Sequence, residues 1–204
     1  NDRREFDPPD LQRRLALMSV SSRFRSALAG LFTAGAVLVG LGADDAPTKH
    51  VAGELSFEAP ASFKSEKPKS AMRKAQFKLA AVEGDSEPAE LVITAFPNGA
   101  GTVEANIARW AGQFKNADGE TPKPEVKVVE GKNVKITRVE VGGRYVAPVF
   151  PGSSEVVDKP NFRLFGAIVQ TDEAGYFFKM VGPDKTMKSG KDGFDSLLKS
   201  IKKD

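Results

Sequence analysis

Phe162-Arg-Leu-Phe-Gly-Ala-Ile-Val-Gln-Thr171 and Gly175-Tyr-Phe-Phe-Lys-Met-Val-Gly182, joined across Asp172-Glu-Ala-Gly175, decide the fold of this chain. Both runs are strongly apolar and of strand length, and the polar residues between them have the composition of a turn. They are predicted to form a hairpin at the centre of a sheet. Leu91-Val-Ile-Thr-Ala-Phe96, bounded by Glu90 and Pro97, reads in the same way, as a strand covered on both faces with neighbours on either side.

Working outward, Met72 to Ala80 alternates, with Ala75, Phe77 and Leu79 against Lys74, Gln76 and Lys78, a strand with one wet face. Glu54-Leu-Ser-Phe-Glu58 is a short strand that stops at Pro60, with Phe63 tucked back onto the core. Glu125 to Val129 and Lys132 to Val141 read as a hairpin around Glu130-Gly-Lys-Asn133, and a change of in/out parity between Ile136 and Val139 predicts a bulge near Thr137-Arg138. Between strands lies a helix capped by Thr102, with Glu104 in its first turn and Val103, Ile107, Trp110 and Phe114 as one apolar stripe. Trp110, the only tryptophan, is assigned to the core. A second helix is expected over Lys185 to Ile201, with Met187, Phe194, Leu197, Leu198 and Ile201 on one face and lysines on the other. The expected fold class is α+β: an antiparallel sheet of about six to seven strands with two packing helices.

Tyr145 to Asn161 is the one long stretch without a regular pattern, and it carries Pro148, Pro151 and Pro160. It is predicted as a loop. Its apolar members Tyr145, Val149, Phe150, Val156 and Val157 are more than a merely connective loop requires, which marks it as a candidate interaction surface.

The order of elements, the helix Glu104-Ala-Asn-Ile-Ala-Arg-Trp110 and the ending Gly175-Tyr-Phe-Phe-Lys…Gly182-Pro…Phe194-Asp-Ser-Leu-Leu-Lys-Ser200 resemble the PsbP-like α/β sandwich. In detail they are similar to uncharacterised exported bacterial proteins of that fold. The resemblance covers roughly residues 53–201. It implies a mostly non-catalytic class of binding or assembly subunits and no shared catalytic motif, and fold analogy is a weak warrant for activity.

Location is legible at the other end. Ser19-Val-Ser-Ser-Arg-Phe-Arg25 is a positive start, Ala27 to Gly42 an uncharged apolar run, and Gly40-Leu-Gly-Ala43 a group of small residues before Asp44-Asp45. The run is shorter than the roughly 20 apolar residues that cross a bilayer core and suits the apolar region of an export signal, about 7–15 residues long. Residues 18–43 are therefore expected to be a signal peptide, and residues 1–17 upstream or non-native sequence ahead of a start at Met18. Residues 44–53 are read as a linker and 54–204 as a single α+β domain. The expected location is periplasmic or secreted, with an uncleaved N-terminal anchor as the alternative, and contact with a membrane only in that case.

Two of the chain's three net positive charges fall before residue 44, where six arginines face Asp2, Glu5, Asp7 and Asp10. The remainder is nearly neutral and lacks the excess of Lys and Arg that nucleic-acid binding demands. Lys64, Lys67, Lys69, Arg73, Lys74 and Lys78 form a local basic cluster that reads as a solvated face. The sequence contains no cysteine, which excludes thiol catalysis, iron–sulfur ligation, a Cys-ligated zinc and a lipid-modified N-terminus.

No cofactor, metal or catalytic constellation is expected. Asn98-Gly-Ala-Gly-Thr102 sits before a helix and is a candidate anion site through Asn98, Gly99, Gly101 and Thr102, although it lacks the lysine and spacing of a phosphate loop and suits a tight turn. Ser153 and Ser154 could form a nucleophilic arrangement only with His50, the sole histidine, from the expected linker. Asp184, Asp192 and Asp195 are assigned to a solvated helix face. The favoured function is an exported, non-enzymatic binding or assembly module of the bacterial envelope, its protein partner or ligand unknown. The alternative is an envelope enzyme with a dispersed Arg, Lys, Asp and Glu site acting on a glycan or phosphate.

Overall fold

The two apolar runs pair antiparallel in the middle of the largest sheet, with Tyr176 opposite Val169 and Phe178 opposite Ala167. Their turn is closed by Thr171, whose Oγ1 accepts from the amides of Glu173 and Ala174. The computed structural model describes residues 46–150 and 152–203. The described residues fall within one compact unit, Gly40–Asp204. The expected signal segment and residues 1–17 lie outside the described residues.

The chain runs β1 (Thr48–Ala52), β2 (Leu55–Ala59), β3 (Phe63–Glu66), β4 (Arg73–Leu79), β5 (Ala89–Pro97), α1 (Val103–Ala111), β6 (Phe114–Lys115), β7 (Glu125–Gly131), β8 (Val134–Pro148), β9 (Val156–Gln170), β10 (Ala174–Pro183), α2 (Asp184–Ser189), α3 (Lys191–Ser200) and β11 (Lys202–Lys203). An eight-stranded sheet has the order β3-β4-β5-β10-β9-β8-β6, with β7 also on β8, and a three-stranded sheet has the order β1-β2-β11. The architecture is the α+β antiparallel one expected, with one more helix and with an eight-stranded and a three-stranded sheet where one sheet of about six to seven strands was expected.

Alternation along the strands sorts the side chains into two cores. On the inner face Phe77, Leu91, Ile93, Phe165, Phe178 and Met180 pack against Leu55 and Phe57 of the small sheet and against Phe194, Leu197, Leu198 and Ile201. On the outer face Leu164, Ile168, Phe177, Val139 and Val141 pack with Trp110 and Phe114. Gly166 of β9 makes the second packing possible, because a Cβ there would overlap the Trp110 ring.

Several sequence expectations need correction. Residues 48–52, assigned to a linker, are an edge strand whose Ala52 is buried and whose Val51 faces out, so its polar composition reflects one wet face. Phe114 is not in the helix: α1 ends at Ala111 and Phe114 joins the short strand opposite Tyr145. The bulge near Thr137-Arg138 is absent. Ile136, Arg138 and Glu140 share the inner face, and the ladder shifts instead between Gly143 and Tyr145. At Gly143, with φ 151°, a Cβ would overlap the Lys115 carbonyl of β6. The apparent parity change came from buried charge.

That charge forms a network. Arg138 donates to Asp195 (2.6 Å) and Glu140 (3.1 Å), Arg163 to Glu140 (2.6 Å) and Asp184 (2.7 Å), and Lys191 to Glu140 (3.1 Å). Asp184 and Asp195 are therefore ties between the helices and the sheet, and only Asp192 is left to the role the sequence suggested. The single C-terminal helix is two, broken at Gly190, where a Cβ would overlap the Leu79 side chain.

The largest correction concerns residues 145–161. They are the ends of two long paired strands, with Tyr145 opposite Lys159 and Pro148 opposite Val156, and of the described residues only 149, 150 and 152–155 lie between them.

Candidate functional site

The outer sheet face is covered by α1 over part of its area, and beside the helix it opens into a groove of about 1020 Å³. This is at the upper end of the range of roughly 300–1,000 Å³ typical of small-molecule sites. Its floor consists of the outward residues of β5 and β10: Val92, Thr94 and Phe96 beside Phe177, Lys179 and Val181. Trp110 near the end of α1 and Gln113 just beyond it form one wall. Tyr145, Val146, Pro148, Val149 and Phe150 carry the β8–β9 hairpin over the other end.

The continuous apolar run of β5 thus has a different cause from the one expected. Leu91 and Ile93 are buried in the inner core, whereas Val92, Thr94 and Phe96 are half-buried on the groove floor. Aromatic rings dominate the lining: Phe177 lies edge-on to Phe96 (5.7 Å between centroids) and to Trp110 (6.2 Å), and Tyr145 stacks on Phe162 (6.0 Å). Burial raises the pKa of the Tyr145 hydroxyl above the usual phenol value.

The charged groups around this apolar lining are mostly paired with one another. Glu90 accepts from Arg73, Lys69 and Gln76, Lys78 pairs with Glu66, and Lys159 pairs with Glu87. Two cations have no carboxylate among the described residues. Arg109 donates to the Asn106 side-chain carbonyl (2.6 Å), and Lys179 donates to Gln113 Oε1 (2.8 Å) with its ammonium 5.9 Å from the Tyr145 ring centroid. Burial, reinforced by the charge of Arg109, pushes the Lys179 pKa down to about 8.

The candidate interaction residues are partly brought together here. Tyr145, Val149, Phe150 and Val157 all line the groove, with Phe150 62% and Val149 49% exposed at the tip. Val156 is exposed but does not line it. The other candidates lie elsewhere. Asn98, Gly99 and Gly101 all have left-handed backbone; the amides of Asn98 and Gly99 donate to the carbonyls of Glu173 and Phe96, and Thr102 caps α1 by accepting from Ala105. The backbone of that segment is largely occupied in making a turn. Ser153 accepts from the Glu155 amide, while His50 bonds Thr48 and packs on Phe57 and Phe77, so the two share no contact. No group of three or more His, Asp or Glu among the described residues is placed to hold a metal ion.

Lys179 and Arg109 were not singled out by the sequence reading. A signal existed for the first: a lysine in the middle of Tyr-Phe-Phe-Lys-Met-Val, on a central strand, needs either a partner or a cavity.

No family model and no curated protein matches this chain. Among solved structures it is similar to cyanobacterial PsbP (CyanoP) from Synechocystis sp. PCC 6803, at 13% identity and TM-score 0.48, over 81% of this chain and 96% of that one. It is also similar to LpqN, involved in cell envelope biogenesis of Mycobacterium tuberculosis, at 9% identity and TM-score 0.44, over 76% of this chain and 88% of that one. The likeness is one of fold, and no site residue is carried over from either.

Proposed function

We propose that this chain is a non-enzymatic binding module of the bacterial cell envelope that holds an elongated, largely apolar ligand in the groove over β5 and β10. The observation that carries the reading is the groove itself: an aromatic and aliphatic floor of ligand-sized volume, left open beside α1 and overhung by the exposed Val149 and Phe150. Exposed apolar surface is costly in water unless something covers it, and a concave apolar surface with a few polar groups is how small-molecule sites are built. The envelope location rests on the export signal read in residues 18–43.

An enzyme acting on a glycan or phosphate would need carboxylates free to move protons at the cleft. Glu87 and Glu90 are each held in ion pairs, which favours binding.

The reading is tested with Trp110, the sole tryptophan and part of the groove wall. A bromine-labelled alkyl chain entering the groove quenches its fluorescence. Saturable quenching by dibromostearate or its methyl ester, weakened when Val181 is replaced by Asp, is expected. Quenching by neither, or quenching unaffected by that change, would remove the groove as a ligand site.

A further inference from the structure

We propose that the ligand is a long-chain carboxylate, its head group held by the Lys179 ammonium with the Arg109 guanidinium beside it. This rests on the groove being a binding site and adds the chemistry of what it selects.

The argument begins with position. Lys179 lies on a central strand, opposite Val92 on one side and Gly166 on the other, in the outward row between Phe177 and Val181. An apolar residue would continue that row, and no carboxylate of the described fold requires a cation there. The other cations of the groove differ in this respect: Arg73, Lys78 and Lys159 each have a protein carboxylate, at 3.5 Å, 2.7 Å and 2.5 Å. Lys179 has only a neutral acceptor, Gln113, and the face of Tyr145.

An ammonium carries three donors. Gln113 takes one, which fixes the direction of the amine, and the ring takes no conventional hydrogen bond, so two N–H groups remain for an incoming oxygen pair. Gly166, opposite Lys179 on β9, has no side chain, and the space above it is filled by the Trp110 ring. A head group bound at Lys179 therefore has Trp110 within reach of the chain that follows it; along the strands Phe177 and Phe96 lie to one side of Lys179 and Phe162 to the other, so apolar groove floor is available to that chain. Arg109, whose only side-chain partner among the described residues is Asn106, supplies the second positive charge, and its field acts on Lys179. One ammonium and one guanidinium, with no backbone cradle, match a singly charged carboxylate. A phosphate monoester, with more charge and more oxygens, would leave acceptors unsatisfied in an apolar site.

The test compares dibromostearate with its neutral methyl ester by Trp110 quenching, in the parent and in Lys179→Met, with stearyl phosphate as an unlabelled competitor. The acid is expected to bind the parent at least tenfold more tightly than the ester, as charge-assisted hydrogen bonds imply. In Lys179→Met the advantage of the acid over the ester should fall at least several-fold, with what remains due to Arg109. Equal binding of acid and ester by the parent would overturn the carboxylate proposal while leaving the groove as a site for apolar chains. Binding of neither would overturn both. A preference for the acid that is undiminished in Lys179→Met would move the head group elsewhere, and competition by stearyl phosphate stronger than by stearate would reassign the class to phosphate. Circular dichroism of Lys179→Met confirms the fold on which the comparison depends.

Discussion

Lys179→Met should make the unliganded protein more stable, and only over a defined range of pH. In the folded chain burial and Arg109 push the Lys179 pKa to about 8, against an ordinary value of 10.5. A difference of about 2.5 units, at 1.36 kcal/mol per unit, is a penalty of about 3 kcal/mol for holding the ammonium in the groove. Methionine of similar length removes that penalty, but it also removes the hydrogen bond to Gln113, which contributes about 1 kcal/mol. The net gain at pH 7 is about 2 kcal/mol, or about 1 M in urea midpoint at an m-value of about 2 kcal/mol/M. The sign follows from proton linkage. Below pH 8 both states of the parent are protonated and the penalty is complete. Between about pH 8 and 10.5 the folded state sheds its proton while the unfolded state keeps it, so the parent gains stability and the advantage of the variant shrinks. Urea unfolding followed by far-ultraviolet circular dichroism at pH 7 and near pH 10.5 measures both ends. A variant less stable than the parent at pH 7, or an advantage of the same size at both pH values, would refute the account of Lys179 as an uncompensated cation.

Carboxylate binding should be strongest below about pH 8 and fall above it as Lys179 loses its proton; Arg109, Tyr145, Lys159, Glu87, Glu90 and Lys78 also line the groove, and a flat profile in Lys179→Met isolates the lysine. Replacing Val149 and Phe150 together by Ser should leave the melting temperature within a few degrees, since both are exposed, yet weaken dibromostearate quenching several-fold. Gly166→Val should cost about 1–3 kcal/mol or more in chemical unfolding, by forcing Trp110 off the sheet. Glu140→Gln should cost about 1–3 kcal/mol at pH 7, because it removes the carboxylate shared by Arg138, Arg163 and Lys191 while Arg138 keeps Asp195 and Arg163 keeps Asp184. Burial alone would raise the Glu140 pKa, but hydrogen bonds from Lys191 and Arg138 hold it below the usual range. Its stabilisation is therefore present above about pH 4.5 and lost as the pH falls through that lower value, so the parent and Glu140→Gln should converge in acid urea titrations.

The sequence by itself determined the elements whose burial is one-sided or complete. The central hairpin of residues 162–182, the alternation of Ala75, Phe77 and Leu79, and the stripe through Ile107 and Trp110 each carry their own period, because a residue's face follows from backbone geometry alone. Tertiary structure decided the rest, and in each case through groups distant in sequence. Arg138 and Glu140 broke the apparent parity of β8 because their partners, Asp195, Lys191 and Arg163, arrive from α3 and β9. Residues 145–161 gave no pattern because strand pairing there rests on backbone hydrogen bonds, which any side chain allows. The groove was legible only as a surplus of apolar residues on β5 and a lysine in an apolar run. Whether such residues meet a second layer or an open cavity depends on how far α1 reaches across the sheet, and nothing local to β5 or β10 encodes that reach.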